Sequence, residues 1–189
     1  KECIESNRFF FTFNRFARPF ILLKWAQTSN GLLNAASCSR QSVPLHISTP
    51  YTFMLVHQLR AEYDAILVGR NTMQTDRPRL DVRLWSGSNP ERLVLTHHSE
   101  GVPDGFKAFS NIDDMLAYLH NNQRQSLMVE GGAATLNSFI QRGLWDEIRV
   151  ETAPLTVSDG VKAPCLPADA VLARQQFIDG NSISWYRKH

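Results

Sequence analysis

The chain has 189 residues, 43% of them hydrophobic, and its 20 basic and 18 acidic residues leave a formal net charge of +2. This length suffices for a substantial core and predicts one domain of the α/β class, while the balanced charge excludes a broad nucleic-acid-binding surface. No apolar run reaches the length of a membrane span and no signal-peptide pattern is present. We therefore expect a cytoplasmic protein that binds neither membranes nor nucleic acid.

The N-terminal segment is rich in phenylalanine but has no regular helical or strand period. We interpret residues 1–17 as a linker that packs on a domain formed by residues 18–189. The first residue is a lysine rather than a methionine, so we expect a piece cut from a longer protein.

The first predicted strand, residues 20–26, follows Pro19 and is almost continuously apolar, as the central strands of a sheet are. Lys24 interrupts this strand. A lysine at such a position either pairs with a carboxylate or faces a ligand. The polar segment 27–47 predicts a long irregular loop, a length that is uncommon unless the loop is functional or disordered.

The next predicted element is a helix that begins with a capping threonine, Thr49, and a proline at its first helical position, and ends near Tyr63. Arg60 lies near its C-terminal end. Residue type alone favours a solvated surface charge there, because arginine is seldom buried without a partner.

A second predicted strand ends at Gly69 and leads into a polar turn. Because ligands of α/β sheets gather beyond the carboxyl ends of the strands, Arg70, Thr72 and Asp76 are candidate site residues. The charged segment 76–83 that follows is predicted to be an extended loop, held in that form by its proline. Its arginines either bind a phosphate or keep the loop soluble.

Two histidines, His97 and His98, follow a third predicted strand at residues 92–96. Zinc takes three or four protein ligands, and the nearby carboxylates lack ligand spacing, so no metal site is predicted. Imidazoles that flank an anion are the favoured interpretation. Asn111 then caps a predicted helix of the scaffold.

The most informative stretch is residues 126–139, a short apolar strand that ends in Glu130, passes Gly131 and Gly132, and begins a helix. Free backbone N–H groups and the positive end of the helix dipole make such a junction suitable for a phosphate. Glycines also let a ligand approach the backbone closely. An ordinary strand-to-helix turn remains the alternative, because a pair of glycines alone is a weak signal.

The C-terminal part predicts three further strands. Residues 147–153 alternate as a strand, and residues 171–178 and 182–187 flank the hairpin signal Asp179-Gly180-Asn181. We expect these strands to form the antiparallel edge of the same sheet.

Four stretches together resemble a known family. They are residues 18–26, 57–69, 71–83 and 129–132. Their order and spacing are similar to those of the reductase domain of riboflavin biosynthesis proteins over residues 18–154. The resemblance implies the dihydrofolate-reductase-like fold of the α/β class, with a central mixed, mostly parallel sheet flanked by helices and a C-terminal antiparallel hairpin.

The resemblance also implies an activity, the NADPH-dependent reduction of the ribose of 5-amino-6-(5-phosphoribosylamino)uracil to a ribityl chain. It implies a homodimer, and a zinc-dependent deaminase domain that precedes the linker in bifunctional members. Many members carry a serine and a tryptophan where this chain has Pro44 and His46, so substrate contacts from the loop 27–47 are left open.

Site residues are implied position by position. The positions that match NADPH contacts are Ala26, Thr72, Asp76, Gly132, Ala133, Ala134, Thr135, Leu136, Asn137 and Ser138. The positions that match substrate contacts are Arg60, Leu80, Arg83 and Glu130. Arg70 resembles the arginine that meets the 2′-phosphate of NADPH in dihydrofolate reductases, and Thr96 and His97 follow the next strand, where the fold supplies further contacts to that phosphate.

We hypothesise that Arg60 and Arg83 orient the substrate and that Lys24 and Glu130 form a coupled catalytic pair near the reacting carbon. The Lys24 ammonium can hold the ribose phosphate or a substrate hydroxyl. Two other functions are alternatives. A true dihydrofolate reductase needs a carboxylate early in its first long helix, and residues 48–59 contain neither Asp nor Glu. A non-catalytic NADPH-binding module that serves a deaminase is the alternative from a different class.

Overall fold

The computed structural model describes residues 6–34, 45–98 and 100–189, and within them lie five helices and one sheet of eight strands. The strands are β1 (Phe20–Thr28), β2 (Ala65–Gly69), β3 (Glu91–Leu95), β4 (Phe106–Phe109), β5 (Ser126–Val129), β6 (Glu147–Ala153), β7 (Ala170–Ile178) and β8 (Asn181–Lys188). The helices are α1 (Arg8–Phe16), α2 (Pro50–Glu62), α3 (Arg70–Asp76), α4 (Ile112–Asn121) and α5 (Ala133–Gln141).

The strand order across the sheet is β4-β3-β2-β5-β1-β6-β8-β7. The six strands from β4 to β6 run parallel, and β8 and β7 continue the sheet antiparallel. The predicted mixed, mostly parallel sheet with a C-terminal hairpin is confirmed. Asp179 and Gly180 at the hairpin tip have φ of 50° and 85°, as a type I′ turn requires. Residues 147–153 join the antiparallel edge as expected, because β6 pairs antiparallel with β8, while the other side of β6 pairs in parallel with β1.

Both faces of the sheet are covered, which explains the near-continuous apolar run of β1. Ile21 and Leu23 pack in the core beneath α4 and α5. Phe20 and Leu22 pack in a second core on the opposite face, with residues of α2 and α3. Lys24 has the same parity as Phe20 and Leu22, so it lies on the face that α2 covers.

The N-terminal segment is a helix rather than an irregular linker, and it packs on the domain as expected. Phe9 of α1 lies between Phe20 and Tyr63, with ring centroids 5.1 and 5.2 Å apart. Phe13, one helical turn later, is buried with its ring centroid 4.6 Å from that of His120. The spacing of four residues places both rings on one side of the helix.

Three other boundaries differ from the prediction. The polar turn expected after Gly69 is the short helix α3, and β4 was not predicted from the sequence. β1 continues to Thr28, two residues into the expected loop, and Pro44 lies outside the described residues. In the described ranges no helix has both the length and the apolar character needed to cross a bilayer.

Candidate active site

The candidate site lies where the carboxyl ends of three neighbouring strands meet. β5 pairs with β2 on one side and with β1 on the other, and the Glu130 N–H that follows β5 donates to the Leu67 carbonyl at 3.0 Å. Gly69 and Gly132 then begin α3 and α5. This topology brings residues from β1, the end of β2 and the end of β5 to one edge of the sheet, as expected for an α/β protein.

A bidentate ion pair stands at the centre of this edge. Nε and Nη2 of Arg60 donate to the two carboxylate oxygens of Glu130, each at 2.9 Å, and Nη1 donates to the Asp81 carbonyl at 3.2 Å. The side chains are only 6% and 9% exposed. The expectation of a surface charge at Arg60, drawn from residue type, is therefore wrong. Two parallel charge-assisted hydrogen bonds hold this arginine on the inner side of α2.

Lys24 brings a third charge to the pair. It is the register partner of Arg149 in β6 and is half-buried. Burial lowers the pKa of Lys24, and the positive charges of Arg149 and Arg60 lower it further, whereas Glu130 and Glu151 oppose the shift. The lysine thus experiences both carboxylates, as the sequence hypothesis of a coupled Lys24 and Glu130 requires.

The Glu130 carboxylate is strongly stabilised in its charged form. Burial alone would raise its pKa, but the charges of Lys24 and Arg60 and the hydrogen bonds from Arg60 lower it from 4.5 to about 2. Glu130 is therefore ionised throughout the physiological range. It can accept hydrogen bonds and balance cations there, but a carboxylate in this state does not hold a proton to donate at neutral pH.

This shift predicts an acid-sensitive contribution to folding. Because the folded pKa of Glu130 lies below its value in the unfolded chain, the stabilisation is present above the unfolded value of 4.5 and is lost as the pH falls towards about 2. We expect the unfolding free energy of the wild type to fall by about 3 kcal/mol more than that of Glu130→Gln over this interval. Urea unfolding of both proteins along a pH series measures the difference, and parallel curves would contradict the prediction.

A buried network that sequence reasoning missed surrounds Glu151 of β6. Its carboxylate accepts hydrogen bonds from Thr52 Oγ1 at 2.6 Å, Ser48 Oγ at 2.9 Å and Asn181 Nδ2 at 2.7 Å. Glu151 therefore ties the first turn of α2 to β6 and β8. The available signal was the alternation of charged residues in β6, which places Arg149 and Glu151 on one face of the strand.

The loop after α3 contains two predicted substrate residues. The structure places Arg83 near the site and the side chain of Leu80 in the core. Asp81 forms an ion pair with Arg83, and its carbonyl accepts from Arg60, so the loop places Arg83 beside the central ion pair. Leu80 is buried in the core with a φ of 51°. Its side chain is directed inward, so a substrate contact at this position requires its backbone.

His57 is a second residue that the sequence hypothesis omitted. It is fully buried one turn before Arg60, its ring stands edge-on to Phe53 at 4.8 Å, and neither ring nitrogen has a hydrogen-bond partner among the described residues. Burial and the charges of Arg60 and Arg83 lower the pKa of His57, so the imidazole is neutral at physiological pH. One nitrogen of a neutral imidazole donates and the other accepts.

The glycine junction after β5 packs closely against the end of β2 and the first turn of α3. A Cβ at Gly131 would lie 2.7 Å from the Gly69 nitrogen, and one at Gly132 would lie 3.0 Å from Thr72 Oγ1. The Gly132 N–H donates to that Thr72 hydroxyl at 2.9 Å. Among the described residues no side chain caps the N-terminus of α5, and its first turn contains no acidic residue, so this end of the helix suits an anion.

The run predicted to contact the cofactor is not uniformly accessible. Thr135 and Leu136 are buried, and Leu136 belongs to the core beneath α5. Ala134 is exposed, and the remaining members of the run are half-buried. The first turn of α5 can therefore meet a ligand through its backbone and small side chains, whereas Leu136 offers at most its backbone.

Arg70 and Thr96 are brought together, as the predicted 2′-phosphate site requires. Nη1 of Arg70 donates to Thr96 Oγ1 at 3.1 Å and to the His98 carbonyl at 2.7 Å. His97 is exposed beside them. Asp76 ends α3, and burial raises its pKa, but no hydrogen bond or ion pair joins it to another candidate residue in the described part of the chain.

Comparison with known proteins gives a consistent result. The model of the RibD C-terminal domain family matches residues 19–171. A riboflavin biosynthesis protein RibD of Corynebacterium ammoniagenes is 31% identical over 165 residues, which span 79% of this chain and 47% of that protein. A 2,5-diamino-6-ribosylamino-4(3H)-pyrimidinone 5′-phosphate reductase of Methanothermobacter thermautotrophicus is 29% identical over 178 residues, spanning 74% of this chain and 80% of that protein.

Among solved structures, a diaminohydroxyphosphoribosylaminopyrimidine deaminase/5-amino-6-(5-phosphoribosylamino)uracil reductase of Thermotoga maritima superposes with a TM-score of 0.85 at 22% identity. The match covers the whole of this chain and 62% of that one. The predicted dihydrofolate-reductase-like α/β fold is thereby confirmed. The chain spans 47% and 53% of the two RibD proteins that it matches at 31% identity.

Proposed function

The chain belongs to the RibD C-terminal domain family, and from that premise we propose that it is a reductase of riboflavin biosynthesis. The proposed substrate is 5-amino-6-(5-phosphoribosylamino)uracil, the product is its ribitylamino derivative, and the reductant is NADPH. The observation that carries this proposal is the cluster of the half-buried Lys24 with the buried ion pair of Arg60 and Glu130, beside the glycine junction of α5. The part of the edge around the charged cluster suits a phosphorylated polar substrate. The part around the N-terminus of α5 and Arg70 suits the phosphates of a dinucleotide.

The chain's own residues have positioning and electrostatic roles in this reaction. A sugar attached through nitrogen opens to an imine as the N–H proton moves to the ring oxygen; hydride for the former anomeric carbon would come from NADPH, and the proton for the nitrogen from water. Arg60 and Arg83 present cations to the ribose phosphate and orient the substrate. Lys24 holds a sugar hydroxyl or the phosphate, and the ionised Glu130 keeps Arg60 and Lys24 in place. Residues from three distant parts of the chain thus fix one substrate geometry.

Two features of the chain support binding of the dinucleotide at the other half of this edge. The N-terminus of α5, which no side chain caps among the described residues, suits a phosphate through its backbone N–H groups and the helix dipole. Arg70 and Thr96 form a second polar cluster beyond β2 and β3, suited to a further phosphate group. This arrangement supports a phosphorylated dinucleotide, and NADPH carries the additional 2′-phosphate for which the Arg70 cluster is proposed.

We expect Arg70→Gln to raise the KM for NADPH by about tenfold and to leave the KM for NADH within about twofold, because one charge-assisted contact to the 2′-phosphate is lost. Steady-state rates with each cofactor measure both constants. Arg124→Gln, which removes an arginine that pairs with Glu91 elsewhere on the surface, is the matched control. Equal loss with NADPH and NADH would contradict the assignment of Arg70.

The assay that tests the function follows NADPH oxidation by this chain with freshly deaminated phosphoribosylaminopyrimidine, with NADH in parallel. Turnover with NADPH preferred supports the reductase. Cofactor binding without turnover supports the alternative, a non-catalytic NADPH-binding module that serves a deaminase. The presence of Lys24, Arg60, Arg83 and Glu130 in one arrangement argues against that alternative.

A second substrate is favoured by one of the relatives. The Methanothermobacter protein is named for the diaminopyrimidinone, which still carries the amino group that a deaminase removes, and this chain covers 80% of that relative. Supplying the pyrimidine before and after deamination distinguishes the two reductions through the ratio of their kcat/KM values. Homodimer formation, a preceding zinc deaminase domain and a cytoplasmic location stay predictions.

A further inference from the structure

A cavity of about 610 Å³ lies beneath α2. Its floor is the face of β6, β8 and β7, and its wall is formed by Leu55, Gln58 and Leu59 of α2. Small-molecule sites commonly have volumes of about 300 to 1,000 Å³. Nothing in the proposed reduction uses this space.

The floor of the cavity carries a row of cations around one indole. Arg149 of β6, Trp185 of β8 and Arg174 of β7 are register partners, so their side chains stand side by side on one face of the sheet. The guanidinium carbons of Arg149 and Arg174 lie 5.7 and 5.0 Å from the centroid of the Trp185 ring. Three neighbouring strands thus place two positive charges against the same aromatic side chain.

Two donors in this row lack acceptors. Arg149 is 1% exposed, and its Nη1 has no hydrogen-bond partner among the described residues. Trp185 Nε1 is likewise buried without a partner in the described part of the chain. Guanidinium and indole N–H groups donate and do not accept, so the missing partner is an acceptor. A buried guanidinium without full hydrogen bonding is costly, which favours a site completed by a ligand.

The carboxylates nearby are already engaged and leave the row positive. Glu147 accepts from Arg187 at 3.0 Å, and Glu62 lies near the charge of Arg8. The carboxylate closest to Arg149 belongs to Glu151, 3.8 Å from Nη1, and it accepts from Thr52, Ser48 and Asn181 as described above. None of these groups supplies a close acceptor to both Arg149 and Arg174.

We infer that this cavity is a second ligand site, specific for a small organic anion that carries a phosphate monoester or a carboxylate. The anionic group lies between Arg149 and Arg174 and accepts from the Trp185 indole N–H. The uncharged part of the ligand lies against Leu55 and Leu59 of α2. This site differs from the proposed substrate and cofactor positions but adjoins the substrate side, because Arg149 is the register partner of Lys24.

The test is a titration of the whole chain with glycerol 3-phosphate and with succinate, with glycerol as the uncharged control. Binding is followed by calorimetry and by the change in tryptophan fluorescence that Trp185→Phe removes. We expect saturable binding of one or both anions, weakened about tenfold in Arg174→Gln, since one charge-assisted contact is lost. Arg174 is exposed, so this variant avoids the folding risk of changing buried Arg149.

Two control variants locate the anion. Arg142→Gln removes an exposed arginine that pairs with Asp113 far from the cavity, and it is expected to bind the anions like the wild type. Arg83→Gln removes a cation on the proposed substrate side and is expected to leave the Trp185 fluorescence change intact. Absence of saturable binding, equal binding of glycerol, equal weakening in Arg142→Gln, or loss only in Arg83→Gln would each overturn the inference.

Discussion

Replacing Glu130 by glutamine is expected to lower kcat/KM for the proposed reduction by about a hundredfold, the scale typical of a misplaced group that orients the substrate. Glutamine keeps the shape of the side chain but removes the charge that Arg60 and Lys24 both face. Arg60 then loses its bidentate acceptor inside a buried site and is no longer held towards the substrate. Steady-state kinetics with NADPH saturating measure the loss.

Glu91→Gln is the matched control for this change. Glu91 also accepts from an arginine and a lysine, but it begins β3 at the opposite end of the strands. We expect its kcat/KM to stay within about threefold of the wild type, because surface ion pairs contribute little to the folded state. If Glu130→Gln retained wild-type turnover and substrate affinity, the role proposed for this carboxylate would be wrong.

Replacing Lys24 by methionine is expected to have a comparable effect, a fall in kcat/KM of about a hundredfold or more. Methionine fills a similar volume, so β1 keeps its packing while the ammonium that would hold a sugar hydroxyl or the phosphate is lost. The exposed Lys162→Met is the control and should leave the rate unchanged. Circular dichroism and thermal unfolding of both variants separate a site effect from misfolding.

The pH profile gives Lys24 an independent test. Burial and the neighbouring arginines lower the pKa of Lys24 below 10.5, so its charged form is lost at a lower pH than that of an ordinary lysine. We expect the wild-type kcat/KM to fall on the alkaline side, and Lys24→Arg to keep whatever activity it has across that range, because arginine stays charged. An alkaline fall of the same midpoint in Lys24→Arg would assign the titration to another group.

The sequence alone determined the parts of this protein that depend on neighbouring residues. Alternation and apolar runs predicted most of the strands, Thr49 and Pro50 predicted the start of α2, and Asp179-Gly180 predicted the hairpin, because caps and turns are local interactions. The glycine junction after Glu130 could also be recognised from the sequence. In the structure a side chain at Gly131 would clash with the backbone of Gly69. The family motifs supplied the remaining site residues by resemblance.

Only the tertiary structure decided which charges meet. Arg60 and Glu130 are 70 positions apart in the chain, and residue type had favoured a solvated Arg60. Alternation alone would allow the charged residues of β6 to lie on either side of the sheet. In the structure Arg149 and Glu151 lie on the side that α2 covers. Burial and the distances between charges set pKa values and hydrogen-bond partners, and both depend on how distant segments pack together.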